Sequence, residues 1–118
     1  MVSTNLSNQK KFRVIVFDMD GTLIKEHCWQ LLHDYYGIDW RETLINVEDY
    51  AAGKLSFKEL VEREIKLWKR GEKLPHIDEV KAALKKYTLV KNAGETVLKL
   101  RQANLVTALV SYGLDILA

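Results

Sequence analysis

Hydrophobic and polar positions along this chain alternate between two periods. Residues 13–17 form a short β-branched, apolar run, Val14-Ile15-Val16-Phe17, preceded by Lys10-Lys11 and followed by an Asp-rich turn. That pattern predicts a buried strand. From residue 27 the period lengthens to that of a helix. Trp29, Leu32, Tyr35 and Tyr36 share one face, and Gly37 closes the segment as a left-handed C-terminal cap. Asp39 then caps a second helix running to about residue 52, ended by Gly53. Ser56 and Glu59 form a capping box. The helix behind it carries Phe57, Leu60, Val61, Ile65 and Trp68 on one face and stops near Gly71. Pro75 precedes a fourth helix over 77–87, with Asp78 and Glu79 in its first turn. Asn92-Ala93-Gly94-Glu95 opens a fifth, ended by Asn104. Residues 105–110 read as a second buried strand that runs into Ser111-Tyr112-Gly113 and a helix start.

The order strand, helices, strand describes an α/β chain in which two parallel strands bracket a helical insertion. Its expected parts are a core fragment from 12–24 and 88–118, a helical cap over 25–87, and a flexible tail over 1–11. Two strands cannot cover both faces of a sheet that normally has about five or six.

Composition removes several functional classes. Hydrophobic residues make up 47% and charged residues 29% of the 118, which describes an ordinary globular chain. A net charge of +2 is too small to argue for nucleic acid, and its lysines and arginines lie among glutamates on helix faces. No stretch approaches the roughly 18 apolar residues of a membrane span, and the first twelve residues lack the apolar centre of a signal peptide. The expected location is therefore the cytoplasm, with neither membrane nor nucleic acid as partner. Cys28 is the single cysteine, so it forms no internal disulfide and reads as a small packing residue. His27, His33 and His76 have no zinc spacing. The aromatic residues Trp29, Tyr35, Tyr36, Trp40, Phe57 and Trp68 read as a helical core rather than a nucleobase platform.

The chemistry concentrates at Asp18-Met19-Asp20-Gly21-Thr22. Alternation along a strand sends Asp18 and Asp20 toward one side of its carboxyl end, where α/β sheets bind ligands. Like charges so close repel unless a cation or a shared proton relieves them, and Mg²⁺ prefers such oxygen ligands. A calcium loop fails on spacing, because Gly21 is its fourth position rather than its sixth. No P-loop occurs. Ser111, before the turn at Tyr112-Gly113, fits either a phosphate cradle or a helix N-cap without a ligand, and the two roles can coexist.

Taken together, Asp18-Met19-Asp20-Gly21-Thr22 after an apolar strand, a helical insertion, and Val110-Ser111-Tyr112-Gly113 after a second strand resemble the haloacid dehalogenase superfamily. The resemblance is strongest to its phosphoserine phosphatase-like branch, to which Gly53-Lys54-Leu55-Ser56-Phe57 and Asn92-Ala93-Gly94-Glu95 are also similar. It implies that Asp18 is a nucleophile forming an aspartyl phosphate and that Asp20 is the general acid and base. It implies Mg²⁺ on the Asp18 carboxylate and the Asp20 backbone carbonyl. The Met19, Asp20 and Tyr112 amides and the Ser111 hydroxyl would cradle the phosphoryl oxygens of a small phosphorylated metabolite.

Three features depart from that branch. Its lysine and further acidic motifs would lie beyond residue 118, so little turnover is expected from this chain alone. The cap glutamate position holds His27, with Glu26 beside it, and the cap arginine position holds Glu64, with Arg63 beside it. Glu26, His27 and Arg63 are accordingly the candidate substrate contacts, and the expected substrate is a phosphomonoester other than phosphoserine. The alternative expectation is a non-catalytic module that pairs through its sheet edge, as a homodimer or with a second chain supplying the missing core.

Overall fold

The computed structural model describes residues 12–117, so the tail expected over 1–11 lies outside the described residues. The chain is mixed α/β. Two strands, β1 (Val14–Phe17) and β2 (Val106–Leu109), pair in parallel. Between them run α1 (Cys28–Tyr36), α2 (Trp40–Ala51), α3 (Phe57–Leu67), α4 (Ile77–Leu84) and α5 (Ala93–Gln102). A 3-10 turn at Asp115–Leu117 takes the place of the helix expected after Ser111-Tyr112-Gly113.

Local chemistry sets most of the helix ends. Gly37 adopts φ 66°, the left-handed conformation that costs glycine nothing, and its N–H reaches back to Asp34 and His33 carbonyls. Asp39 accepts from the Arg41 N–H, and the Ser56–Glu59 capping box forms with both of its reciprocal bonds. Asn104, at φ 60°, ends α5, a conformation that asparagine tolerates better than most residues. The fourth helix stops at Leu84 rather than near residue 87. Its continuation is drawn into tertiary pairing instead. Lys25 N–H donates to the Thr88 carbonyl at 2.9 Å, and Ile24 bridges Leu89 in antiparallel fashion.

The buried core belongs to the helices. Leu32, Leu84 and Cys28 are its largest fully enclosed side chains, with Tyr36, Trp68 and Ala83 around them. Trp68 is the aromatic hub, its ring 5.3 Å from Trp29, 5.8 Å from His33 and 6.3 Å from Tyr36. The expected aromatic core is only partly realised. Trp40 is 59% exposed, and Tyr35 and Phe57 are exposed as well. The reason is that α2 and α3 meet through polar groups. Asn46 is the buried residue of α2, and Glu64 is that of α3.

The sheet is the opposite case. Val14 pairs with Val106 and Val16 with Ala108, which puts these four side chains on one face. Val16 is 58% and Val106 61% exposed. The parallel register nonetheless has a consequence for chemistry. Val110 N–H donates to the Phe17 carbonyl at 2.8 Å, so the chain segments leaving β1 and β2 emerge side by side.

Candidate active site

Asp18 is the first residue beyond β1, and its exposed carboxylate accepts from Thr22 Oγ1 at 3.3 Å. The loop that follows is wound around one atom. The Met19 carbonyl accepts from the N–H groups of Thr22, Leu23 and Ile24 at 3.1, 3.0 and 3.2 Å. The Met19 side chain is buried in the same core cluster as Cys28 and Leu32, opposite in sense to its two acidic neighbours. Alternation along the chain thus makes one residue the anchor and the flanking pair the candidate reactive groups. Among the described residues, the N–H groups of Met19 and Asp20 donate to no protein acceptor, and the Asp20 carbonyl accepts from no protein donor.

Asp20 joins the sheet end to the helices. Its Oδ2 accepts from the Cys28 N–H at 3.2 Å, the first amide of α1. The N-cap residue of that helix, His27, makes no side-chain cap bond, so a carboxylate from another element satisfies the exposed amide. Oδ1 of Asp20 is buried with no hydrogen-bond partner. Such an orphan needs a ligand or a proton to offset its lost hydration.

The segment after β2 closes the other side. Ser111 Oγ accepts from the Gly113 N–H at 2.8 Å, a turn rather than a helix cap, which leaves the hydroxyl proton available to donate. Gly113 packs tightly against two buried side chains. A Cβ there would lie 2.6 Å from Met19 Cε and 2.9 Å from Cys28 Sγ. Cys28 Sγ accepts from the Leu114 N–H, and burial pushes its thiol up to about 11, which makes it an inert packing group. The Tyr112 carbonyl accepts from Trp29 Nε1 at 3.2 Å, while the Tyr112 ring is 81% exposed and 5.4 Å from Phe57.

These groups open into one cavity of about 680 Å³. Asp18, Asp20, Ser111 and Tyr112 line its sheet end. Trp29 of α1 and Phe57, Leu60 and Val61 of α3 supply apolar walls. Of the candidate substrate contacts, Glu26 and His27 both line the cavity. Glu26 is already engaged, because Oε2 accepts from the Thr88 N–H at 2.7 Å and that bond holds its carboxyl below the ordinary range. Arg63 is not brought to the cavity. Its guanidinium turns to Asp49 at 3.1 Å.

The sequence reading missed the role of Glu64. It lines the cavity from α3 and is buried. Its Oε2 accepts from Thr43 Oγ1 at 2.6 Å and from His33 Nε2 at 2.8 Å, and its Oε1 accepts from Asn46 Nδ2 at 2.7 Å. His33 Nδ1 accepts from Trp68 Nε1 at 3.0 Å, so its proton sits on Nε2, facing Glu64. Burial alone would raise the Glu64 carboxyl, but the donors from His33, Thr43 and Asn46 outweigh it and hold the group below its ordinary value. One signal was present in the sequence. Glu64 falls on the apolar face set by Phe57, Leu60, Val61, Ile65 and Trp68, where an unpaired acid would be costly.

The donor set suits a hard cation. The Asp18 carboxylate and the Asp20 carbonyl offer oxygen alone, and Mg²⁺ binds through one or two carboxylates together with water and phosphate. Among the described residues, no group of three or more His, Cys, Asp or Glu side chains forms a cage of the kind zinc uses.

The chain is similar to known proteins in sequence and in fold. The phosphoserine phosphatase of Methanocaldococcus jannaschii is 32% identical over 108 residues, covering 92% of this chain and 49% of that protein. A solved phospho-aspartyl intermediate analogue of a phosphoserine phosphatase superposes with a TM-score of 0.68 at 31% identity, over 92% of this chain and 49% of the other. A haloacid dehalogenase-family hydrolase from Salmonella enterica serovar Typhi gives a TM-score of 0.70 at 25% identity, over 88% of this chain and 34% of its own. This chain therefore spans about half the length of the phosphoserine phosphatases it matches. The family model of the haloacid dehalogenase-like hydrolases matches residues 12–116, and the chain belongs to that family, on its phosphoserine phosphatase-like side.

Proposed function

We propose that this chain carries the nucleophile and the general acid of a Mg²⁺-dependent phosphomonoester hydrolase. The observation that carries the reading is the meeting of Asp18 and Asp20, beyond β1, with Ser111, beyond the adjacent β2, on one cavity. An Asp18 carboxylate oxygen attacks phosphorus, and the bond from phosphorus to the alcohol oxygen breaks. Asp20 gives that leaving oxygen a proton, and Oδ1, the oxygen without a protein donor, is the atom open to carry it. Asp20 then takes a proton from water, which attacks the aspartyl phosphate, restores Asp18 and releases inorganic phosphate. The Met19, Asp20 and Tyr112 amides and the Ser111 hydroxyl donate to the phosphoryl oxygens as charge builds on them. Mg²⁺, when held by the Asp18 carboxylate and the Asp20 carbonyl, supplies charge neutralisation between nucleophile and phosphate.

In this reading the substrate is a small phosphomonoester, and further charge-neutralising groups complete the site. Turnover by the chain alone is accordingly low. Phosphate release from p-nitrophenyl phosphate with Mg²⁺ tests both parts. Release should be slow and should fall by about 10⁴-fold or to background in Asp18→Asn. Release surviving that substitution overturns the nucleophile, and robust turnover by the unaltered chain overturns the incomplete site.

The exposed apolar face of Val14, Val16 and Val106 favours a second reading, a module that pairs through its sheet with another copy or another polypeptide. Light scattering decides it. A concentration-dependent dimer supports pairing between copies, and a monomer at all concentrations counts against it.

A further inference from the structure

Resting on the hydrolase reading, we infer that the cavity selects the phosphomonoester of a cationic amino alcohol, with phosphate at the aspartate pair and ammonium toward the helices. The charges lining the cavity carry the inference. Beyond Asp18 and Asp20, the acidic residues that line it are Glu26, Asp34 and Glu64, and among the described residues no lysine or arginine lines it. The arginine nearest in sequence to Glu64, Arg63, is committed to Asp49. A leaving group that bears a carboxylate would therefore enter a chamber whose fixed charges repel it and whose basic lining, among the described residues, is His27 and His33. His33 has both ring nitrogens engaged, one with Glu64 and one with Trp68.

The walls also suit a cation. Trp29, Phe57 and Tyr112 line it from α1, from α3 and from the segment after β2, with the Phe57 and Tyr112 rings 5.4 Å apart. Aromatic faces backed by a carboxylate are the surface that binds quaternary ammonium groups, because the ring quadrupole attracts a weakly hydrated cation that loses little on leaving water. Glu64 supplies that carboxylate. Its three donors hold it in one position and keep it ionised despite burial.

Calorimetric titration of the whole chain at pH 8 with Mg²⁺ tests this, using phosphocholine, O-phosphoserine, 3-phosphoglycerate and choline alone. Phosphocholine should bind at least tenfold more tightly than 3-phosphoglycerate, with O-phosphoserine between them. Choline alone should bind weakly and compete. Phe57→Leu, at an exposed position that tolerates the change, should weaken choline several-fold. Glu64→Gln, with folding checked by circular dichroism, should do the same. Equal affinities for the three esters, tighter binding of 3-phosphoglycerate, or no competition by choline overturns the preference and leaves the hydrolase reading standing. Choline binding that persists while phosphocholine gains nothing over it supports the cation preference and overturns the hydrolase reading.

Discussion

The helices and the sheet of this chain are built to different standards. The helices enclose Leu32, Leu84 and Cys28 completely and satisfy a buried carboxylate with three donors. The sheet has the register of a proper parallel pair, yet Val14, Val16 and Val106 face solvent. Stability and chemistry therefore reside in different places. The candidate aspartates belong to the sheet end, but what holds them is helical. Met19 plugs into the helical core, and Asp20 is fastened to the first amide of α1. The site is therefore anchored from the helix side.

The sharpest way to break this comparison is to hollow the helical side. Leu32→Ala should cost about 2–5 kcal/mol in urea unfolding, because it empties a fully enclosed position next to Met19 and Cys28. The same substitution should loosen the aspartate loop. A loss below about 1 kcal/mol would mean that the helices are not the stable unit.

A smaller effect is expected at Glu64. Its folded-state carboxyl lies below the ordinary value of a glutamate, so it contributes stability at pH values above that ordinary value. The contribution is lost as pH falls through the lower folded value, where the carboxylate is protonated and its donors lose their charged partner. Glu64→Gln should therefore destabilise by about 1–2 kcal/mol at pH 7 and flatten the acid limb of the stability curve. An unchanged acid limb would show that the network contributes nothing. The smallest effect belongs to the sheet. Val16→Thr, at an exposed β-branched position, should change stability by no more than about 0.5 kcal/mol. A larger loss would reveal that this face is covered in solution.

Much of this arrangement was legible from residue order, for identifiable reasons. The caps at Gly37, Asp39 and Ser56–Glu59 form as read because each depends on neighbours within a few residues. The two strands and the aspartate motif were readable because β-branched runs and a Gly turn are also local signals. What escaped depends on distant partners. Glu64 meets His33 across the fold, and nothing near either residue announces the pairing. The helix over 77–84 ends early because Thr88 is needed to pair with Lys25 and Glu26. Arg63 was a plausible substrate contact by position, but Asp49, one turn from the end of α2, claims its charge.

The central claim is that Asp18 is the group that takes the phosphoryl. Beryllium trifluoride with Mg²⁺ mimics a phosphoryl group on an aspartate, and fluorine NMR reads its binding without requiring turnover. The chain should show bound fluorine resonances that depend on Mg²⁺ and disappear in Asp18→Asn. Bound resonances that persist in Asp18→Asn, or that are absent from the unaltered chain, would contradict it.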